Sequence, residues 1–267
     1  MSGISLDCLT LPDVSPVDLF AIAAGAGYAS ASLWVQEPVI HPQMIARPAM
    51  AADIRRAIAD TGVTAGNLEV FNLNIDDPIA VYEPALTFGA ELGAVSATAI
   101  NYGPARHDIA EKLADFHELC ARLGLHVYIE PISMGATRTL ADGVALIEAA
   151  GVDAQLVMDM LHLIRTGGDA ETVAAIAPRH IGYVQLCDGP LAIEPAEIGP
   201  ESVASRLYPG EGEFPLVSIL KALPMHAQLG VETPNLARLQ NGATPLERAR
   251  QALEAAQRVL TAAGVVR

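Results

Sequence analysis

Four acidic or amide side chains each close a short apolar run. They are Glu130 in HVYIEP, Asp159 in QLVMDMLH, Gln185 in GYVQLCD and Glu232 in QLGVETP. Three carboxylates and an amide oxygen brought to one point would repel each other without a cation. An all-oxygen donor set suits one hard divalent ion, Mn²⁺ or Mg²⁺. Glu130 and Glu232 would then flank that ion, and such a pair can serve as base and acid on the two faces of a bound carbon. The cation would polarise a carbonyl and stabilise the enediolate that follows proton abstraction.

The four residues are 29, 26 and 47 positions apart, so the fold has to gather them. Eight runs rich in Val, Leu, Ile or Tyr read as strands, at about 3–9, 29–35, 66–71, 95–100, 126–130, 155–159, 181–186 and 227–232. Helical patterns lie between them, near 16–26, 43–60, 79–92, 106–122, 139–150, 170–177, 215–222 and 245–262. Alternating strand and helix units build a parallel sheet, and in a closed barrel every strand C-terminus emerges on one face. The 267 residues suit one α/β domain, a single (β/α)₈ TIM barrel over 1–267, which typically needs roughly 250 residues. The last helix is the clearest: Thr244, Pro245 and Glu247 form a capping box, Leu246, Ala249, Leu253, Ala256 and Leu260 repeat at helical spacing, and Gly264 ends it.

Lys plus Arg number 16 against 31 Asp plus Glu, a net charge of −15. That balance opposes binding to a phosphate backbone, so no nucleic-acid partner is expected. Three cysteines without CxxC spacing read as reduced and cytoplasmic. The first residues, MSGISLDCLTL, lack a basic segment and carry Asp7 within the apolar run, unlike a signal peptide. No apolar stretch reaches the ~18 residues of a membrane span. The expected partner is a small-molecule substrate; oligomeric state is not legible, though barrels of this kind commonly self-associate through symmetric contacts.

One connection is unusual. Residues 187–214, CDGPLAIEPAEIGPESVASRLYPGEGEF, are rich in Gly and Pro and exceed the ~12–15 residues of plain loops. Loops of this length on a catalytic face are often lids. Arg206 within it reads as an exposed clamp for a substrate carboxylate or phosphate. Glu69 in NLEVF is a charge inside a strand and a candidate substrate contact, as are Asn101 and Trp34 near strand ends.

The ordered set IEP, MDMLH, VQLCD, PGEGEF and VETP resembles the xylose isomerase-like barrel superfamily, over essentially the whole chain. That superfamily includes sugar epimerases and isomerases, 3-dehydroshikimate and inosose dehydratases, and endonuclease IV. The resemblance implies one divalent metal held by Glu130, Asp159, Gln185 and Glu232, and a substrate-site histidine at His162. Three departures stand out. Gln185 replaces the usual His, which should lower affinity for Zn²⁺. SMGATRT offers no second acid after Glu130. The basic residue that usually follows the seventh strand closely is absent, with Arg206 further along.

Two activities share the first half-reaction. One is a metal-dependent isomerase or epimerase of a small sugar, polyol or keto substrate. The alternative is a dehydratase, in which a β-hydroxyl leaves instead of a proton returning. An endonuclease would need extra His and Asp ligands that the chain lacks. A non-catalytic barrel that binds a small molecule is the remaining reading.

Overall fold

The computed structural model describes residues 3–37 and 41–265. Eight parallel strands follow one another around a closed barrel: β1 (Ser5–Leu6), β2 (Ser30–Trp34), β3 (Thr64–Asn72), β4 (Ser96–Ile100), β5 (His126–Glu130), β6 (Gln155–Asp159), β7 (Ile181–Leu186) and β8 (Gln228–Val231). β1 pairs with both β2 and β8, which closes the ring. The chain is a single (β/α)₈ barrel.

The helices are α1 (Pro16–Ala26), α2 (Ala51–Thr61), α3 (Glu83–Glu91), α4 (Ile109–Arg122), α5 (Leu140–Ala150), α6 (Met160–Arg165), α7 (Ala170–Ala175), α8 (Ile198–Ala204), α9 (Leu216–Ala222), α10 (Leu236–Gln240) and α11 (Pro245–Ala263). Helix α11 forms as its sequence dictates. Thr244 accepts from the Glu247 backbone, Glu247 answers to the Thr244 backbone, and Gly264 ends the helix at φ 72°.

Three expected helices start late, the one expected from 79 opening with a 3₁₀ turn at Ile79–Tyr82 before α3 begins at Glu83. Pro42 and Pro48 each open a 3₁₀ turn, so α2 begins only at Ala51; proline lacks the N–H that a continuous helix would use. Arg106 is tied to Asp108 and Asp76, and α4 begins beyond that knot. Helices α6, α8 and α10 had no expectation, being five to seven residues long, too short for a 3.6-residue stripe to be read.

Phe20, Phe116 and Ile219 on helices pack in one apolar cluster with Leu68, Phe71 and Leu156 from strands. Each such side chain contributes about 1.5–3 kcal/mol when fully removed from water. The barrel interior differs. Ser5, Asp7, Ser32, Asn67, Glu69 and Thr98 are all buried there, hydrogen-bonded in chains such as Ser96 Oγ to Asn67 Oδ1 (2.9 Å) and Asn67 Nδ2 to Thr98 Oγ1 (2.8 Å). Among the described residues no helix is long and apolar enough to cross a membrane.

Candidate functional site

Side chains two apart on a strand share a face. Tyr128, Val157 and Tyr183 form their own small buried cluster, so Glu130, Asp159 and Gln185, two residues later on β5, β6 and β7, stand above it at the strand C-termini. Asp159 and Gln185 are register partners, and Gln185 pairs with Gly230, two before Glu232.

Two of the four expected ligands, Asp159 and Glu232, share the Arg206 guanidinium; Gln185 joins them through Glu232, and Glu130 faces His162. Asp159 caps α6, its Oδ1 accepting from the His162 backbone at 3.1 Å. Its Oδ2 accepts from Arg206 Nη1 at 2.5 Å. Glu232 Oε2 lies 3.1 Å from Arg206 Nη2, and its Oε1 accepts from Gln185 Nε2 at 3.1 Å. Glu130 Oε1 lies 3.8 Å from His162 Nε2. Burial pushes Glu130 well above the carboxylate range, and the charges of Glu232 and Asp159 push the same way. Burial raises Glu232 to about 8 against the opposing pull of Arg206. Burial also works to raise Asp159, but Arg206 and then His162 hold it below its ordinary value.

Burial lowers His162 to about 4, so the imidazole is neutral near pH 7. The Ser133 backbone N–H donates to its Nδ1 at 3.3 Å, which leaves the proton on Nε2. His162 is therefore an N–H donor directed towards Glu130. A neutral imidazole of this kind can polarise a carbonyl oxygen.

Asp7 was missed as a site residue; its charge in the apolar run SLDCL was the available signal. Tyr183 Oη donates to Asp7 Oδ1 at 2.5 Å. Burial drives Asp7 up to about 7 in spite of the hydrogen bonds it accepts, led by Tyr183. Gly230 leaves room for this pair: a Cβ there would sit well inside van der Waals contact of Tyr183 Oη and both Asp7 oxygens. Glu69 is 1% exposed and accepts from Ser32 Oγ at 3.0 Å and Cys8 Sγ at 3.5 Å. Burial raises it well above the carboxylate range, reinforced by Asp7 and Glu232. One oxygen each from Asp7, Glu69 and Glu232 lies within 4.8 Å of the others. That trio, rather than the quartet at the strand ends, is the tightest carboxylate grouping among the described residues.

These donors fit a divalent cation. Asp7, Glu69, Glu130, Asp159 and Glu232 are all buried, and of these Arg206 pairs with Asp159 and Glu232, so a cation would let the other carboxyls ionise. Gln185 Oε1 is buried and accepts no hydrogen bond. An orphaned amide oxygen among crowded carboxylates is the environment a hard cation relieves.

Other expected contacts are committed elsewhere. Arg206 is not an exposed clamp: it is 2% exposed. Its Nε donates to Ser202 O at 2.8 Å, while Nη1 and Nη2 serve Asp159 and Glu232. Polar, glycine-rich surroundings had suggested solvent, but α8 folds the segment over it. Asn101 accepts from Asn74 at 3.0 Å and donates to Thr137 at 3.0 Å. Trp34 Nε1 donates to Gln36 O at 2.9 Å. The PGEGEF run wraps Asp188, whose carboxylate accepts from the backbones of Gly189 (2.8 Å), Gly210 (2.8 Å) and Phe214 (3.0 Å).

Comparison with known proteins places the fold. A family model described as xylose isomerase-like TIM barrel matches residues 20–259. No curated protein matches the chain in sequence. Among solved structures, IolI protein with a bound zinc atom superposes with TM-score 0.75 at 15% identity, covering 98% of each chain. D-allulose 3-epimerase from Methylomonas sp. gives TM-score 0.72 at 18% identity, covering 97% of this chain and 98% of its own. The probable 3-DHS dehydratase AsbF from Bacillus anthracis gives 0.74 at 12% identity, covering 96% and 98%. Identities this low speak to the fold alone.

Proposed function

The chain belongs to the xylose isomerase-like TIM barrel family, and from that premise we propose that it is a cytoplasmic, divalent-metal-dependent enzyme that removes the proton next to a carbonyl of a small hydroxy-keto substrate. Glu130, Asp159, Gln185 and Glu232 would hold Mn²⁺ or Mg²⁺, with the carboxylates of Asp7 and Glu69 close behind Glu232. When bound, such a cation supplies Lewis-acid stabilisation of the negative charge that develops on oxygen. Glu130, facing His162 across 3.8 Å, would take the proton as general base once the cation offsets the burial that raises it. His162 Nε2–H donates to the substrate oxygen, and Arg206 keeps Asp159 and Glu232 oriented.

The fate of the carbanion divides the two readings, and elimination of a β-hydroxyl is the one the geometry supports best. The observation that carries it is the engagement of Glu232. Both of its oxygens are taken, one by Arg206 and one by Gln185. Epimerisation needs a second group free to return a proton on the opposite face, whereas in a syn elimination the proton that Glu130 takes from carbon can be passed to the β-hydroxyl, which leaves as water. The isomerase or epimerase reading stays as the second, supported by the presence of a second buried carboxyl, Glu232, beside Glu130 and by the epimerase neighbour.

The test uses Mn²⁺-refilled protein in D₂O with ketoses, inososes and 3-dehydroshikimate. Loss of water to an unsaturated product, abolished by chelation and by Glu130→Gln, is the expected result; a lost general base typically costs 10²–10⁴ in rate. Solvent deuterium entering an intact isomerised product would instead establish the second reading. Protein that takes up no stoichiometric metal would end both.

A further inference from the structure

We propose that the Arg165–Glu201 pair is a positioning brace that fixes the height of the Arg206 guanidinium between Asp159 and Glu232. The inference rests on geometry alone and does not depend on which reaction the site performs.

The contacts form a closed circuit. Asp159 starts α6 as its cap, and Arg165 ends the same helix. Arg165 reaches into the 187–214 segment as a two-pronged donor, Nε to Glu201 Oε2 at 2.7 Å and Nη2 to Glu201 Oε1 at 2.6 Å. The pair is buried, with side chains 3% and 2% exposed. Arg165 also donates to Leu191 O (3.1 Å) and Pro190 O (2.8 Å) and lies 5.2 Å from the centre of the Phe214 ring. The residue after Glu201 is Ser202, whose carbonyl accepts from Arg206 Nε. Arg206 Nη1 then returns to Asp159. Helix α6 therefore sets both ends of the Asp159–Arg206 contact, one through its cap and one through Arg165.

The surroundings are shaped for this pair. A Cβ at Gly189 would meet Glu201 Oε1 at 2.8 Å, Phe214 Cζ at 3.0 Å and Arg165 Nη2 at 3.3 Å, so glycine is what lets the chain pass. Burial of a carboxylate and a guanidinium costs desolvation that their attraction roughly offsets, so stability alone is a weak reason for such a pair. What a two-pronged, fully buried contact adds is a defined register between two elements. Here those elements are the strand end that carries Asp159 and the segment that carries Arg206.

The experiment is arginine labelling with phenylglyoxal, followed by peptide mass spectrometry. Arg248 is the internal control: its side chain is also 3% exposed and paired, with Asp13, on α11. Glu201→Gln presents an N–H where Arg165 needs an acceptor and breaks the fork. The expected result is at least a tenfold faster modification of Arg206 in Glu201→Gln, with Arg248 unchanged from wild type. Arg206 remaining as protected as in wild type, or Arg206 and Arg248 becoming reactive together, would overturn the proposal. The first outcome removes the brace, and the second reduces it to general stability. If Glu201→Gln does not fold, Arg165→Lys, which keeps the charge and loses the fork, is judged by the same comparison.

Discussion

Gln185 shows how much one donor atom decides. Its Oε1 is buried and unbonded while its Nε2 holds Glu232, so the oxygen is the free end. An amide oxygen is a harder donor than imidazole and disfavours Zn²⁺ relative to Mn²⁺. Gln185→His is expected to raise the ratio of Zn²⁺ to Mn²⁺ affinity by about tenfold or more, in line with the loss typical when a metal's surroundings are altered. Competitive titration reads that ratio directly, and an unchanged value would place Gln185 outside the ligand set. Glu130, Asp159, Gln185 and Glu232 stood out in the sequence because each polar residue ends an apolar run. Asp7 did not, because β1 is only two residues long and its charge reads as an interruption. The burial of Arg206 was invisible for a different reason: its partners Asp159 and Glu232 lie 47 and 26 residues away in sequence.

The strands and long helices were legible because their apolar residues repeat over many positions. The 187–214 segment was not, because its order comes from side chains gripping backbone. Asp188 is the clearest case, holding with one carboxylate the N–H groups of Gly210 and Phe214 in the glycine-rich turn and that of Gly189 beside it. Gly212 belongs to the same device: a Cβ there would lie 2.4 Å from Asp188 Oδ1. Asp188→Ala would leave buried donors unmet, each costing about 1–3 kcal/mol. A total loss of about 3 kcal/mol is expected in urea unfolding, with Asp188→Asn losing less. Equal midpoints for Asp188→Ala and wild type would show that the turn is held by its own backbone.

The whole barrel carries its charge inside as well as outside, and this makes stability depend on pH. Asp7 sits at about 7 in the folded protein against an ordinary 3.8. Between those values the folded chain keeps a proton that the unfolded chain releases. The stability from this group is therefore full below about pH 4 and lost as pH rises through about 7. Asp7→Asn has no proton to lose. Without divalent metal, its Tm relative to wild type should climb from pH 5 to pH 8. Parallel Tm curves would mean that Asp7 titrates normally. Gly230 extends the same reasoning to the molecule's history. The missing methyl at that position is space filled by Tyr183 and Asp7, so position 230 has no room for a larger side chain. A library aimed at altered ligand binding should therefore leave position 230 untouched and vary residues 101–104 and 133–137 instead.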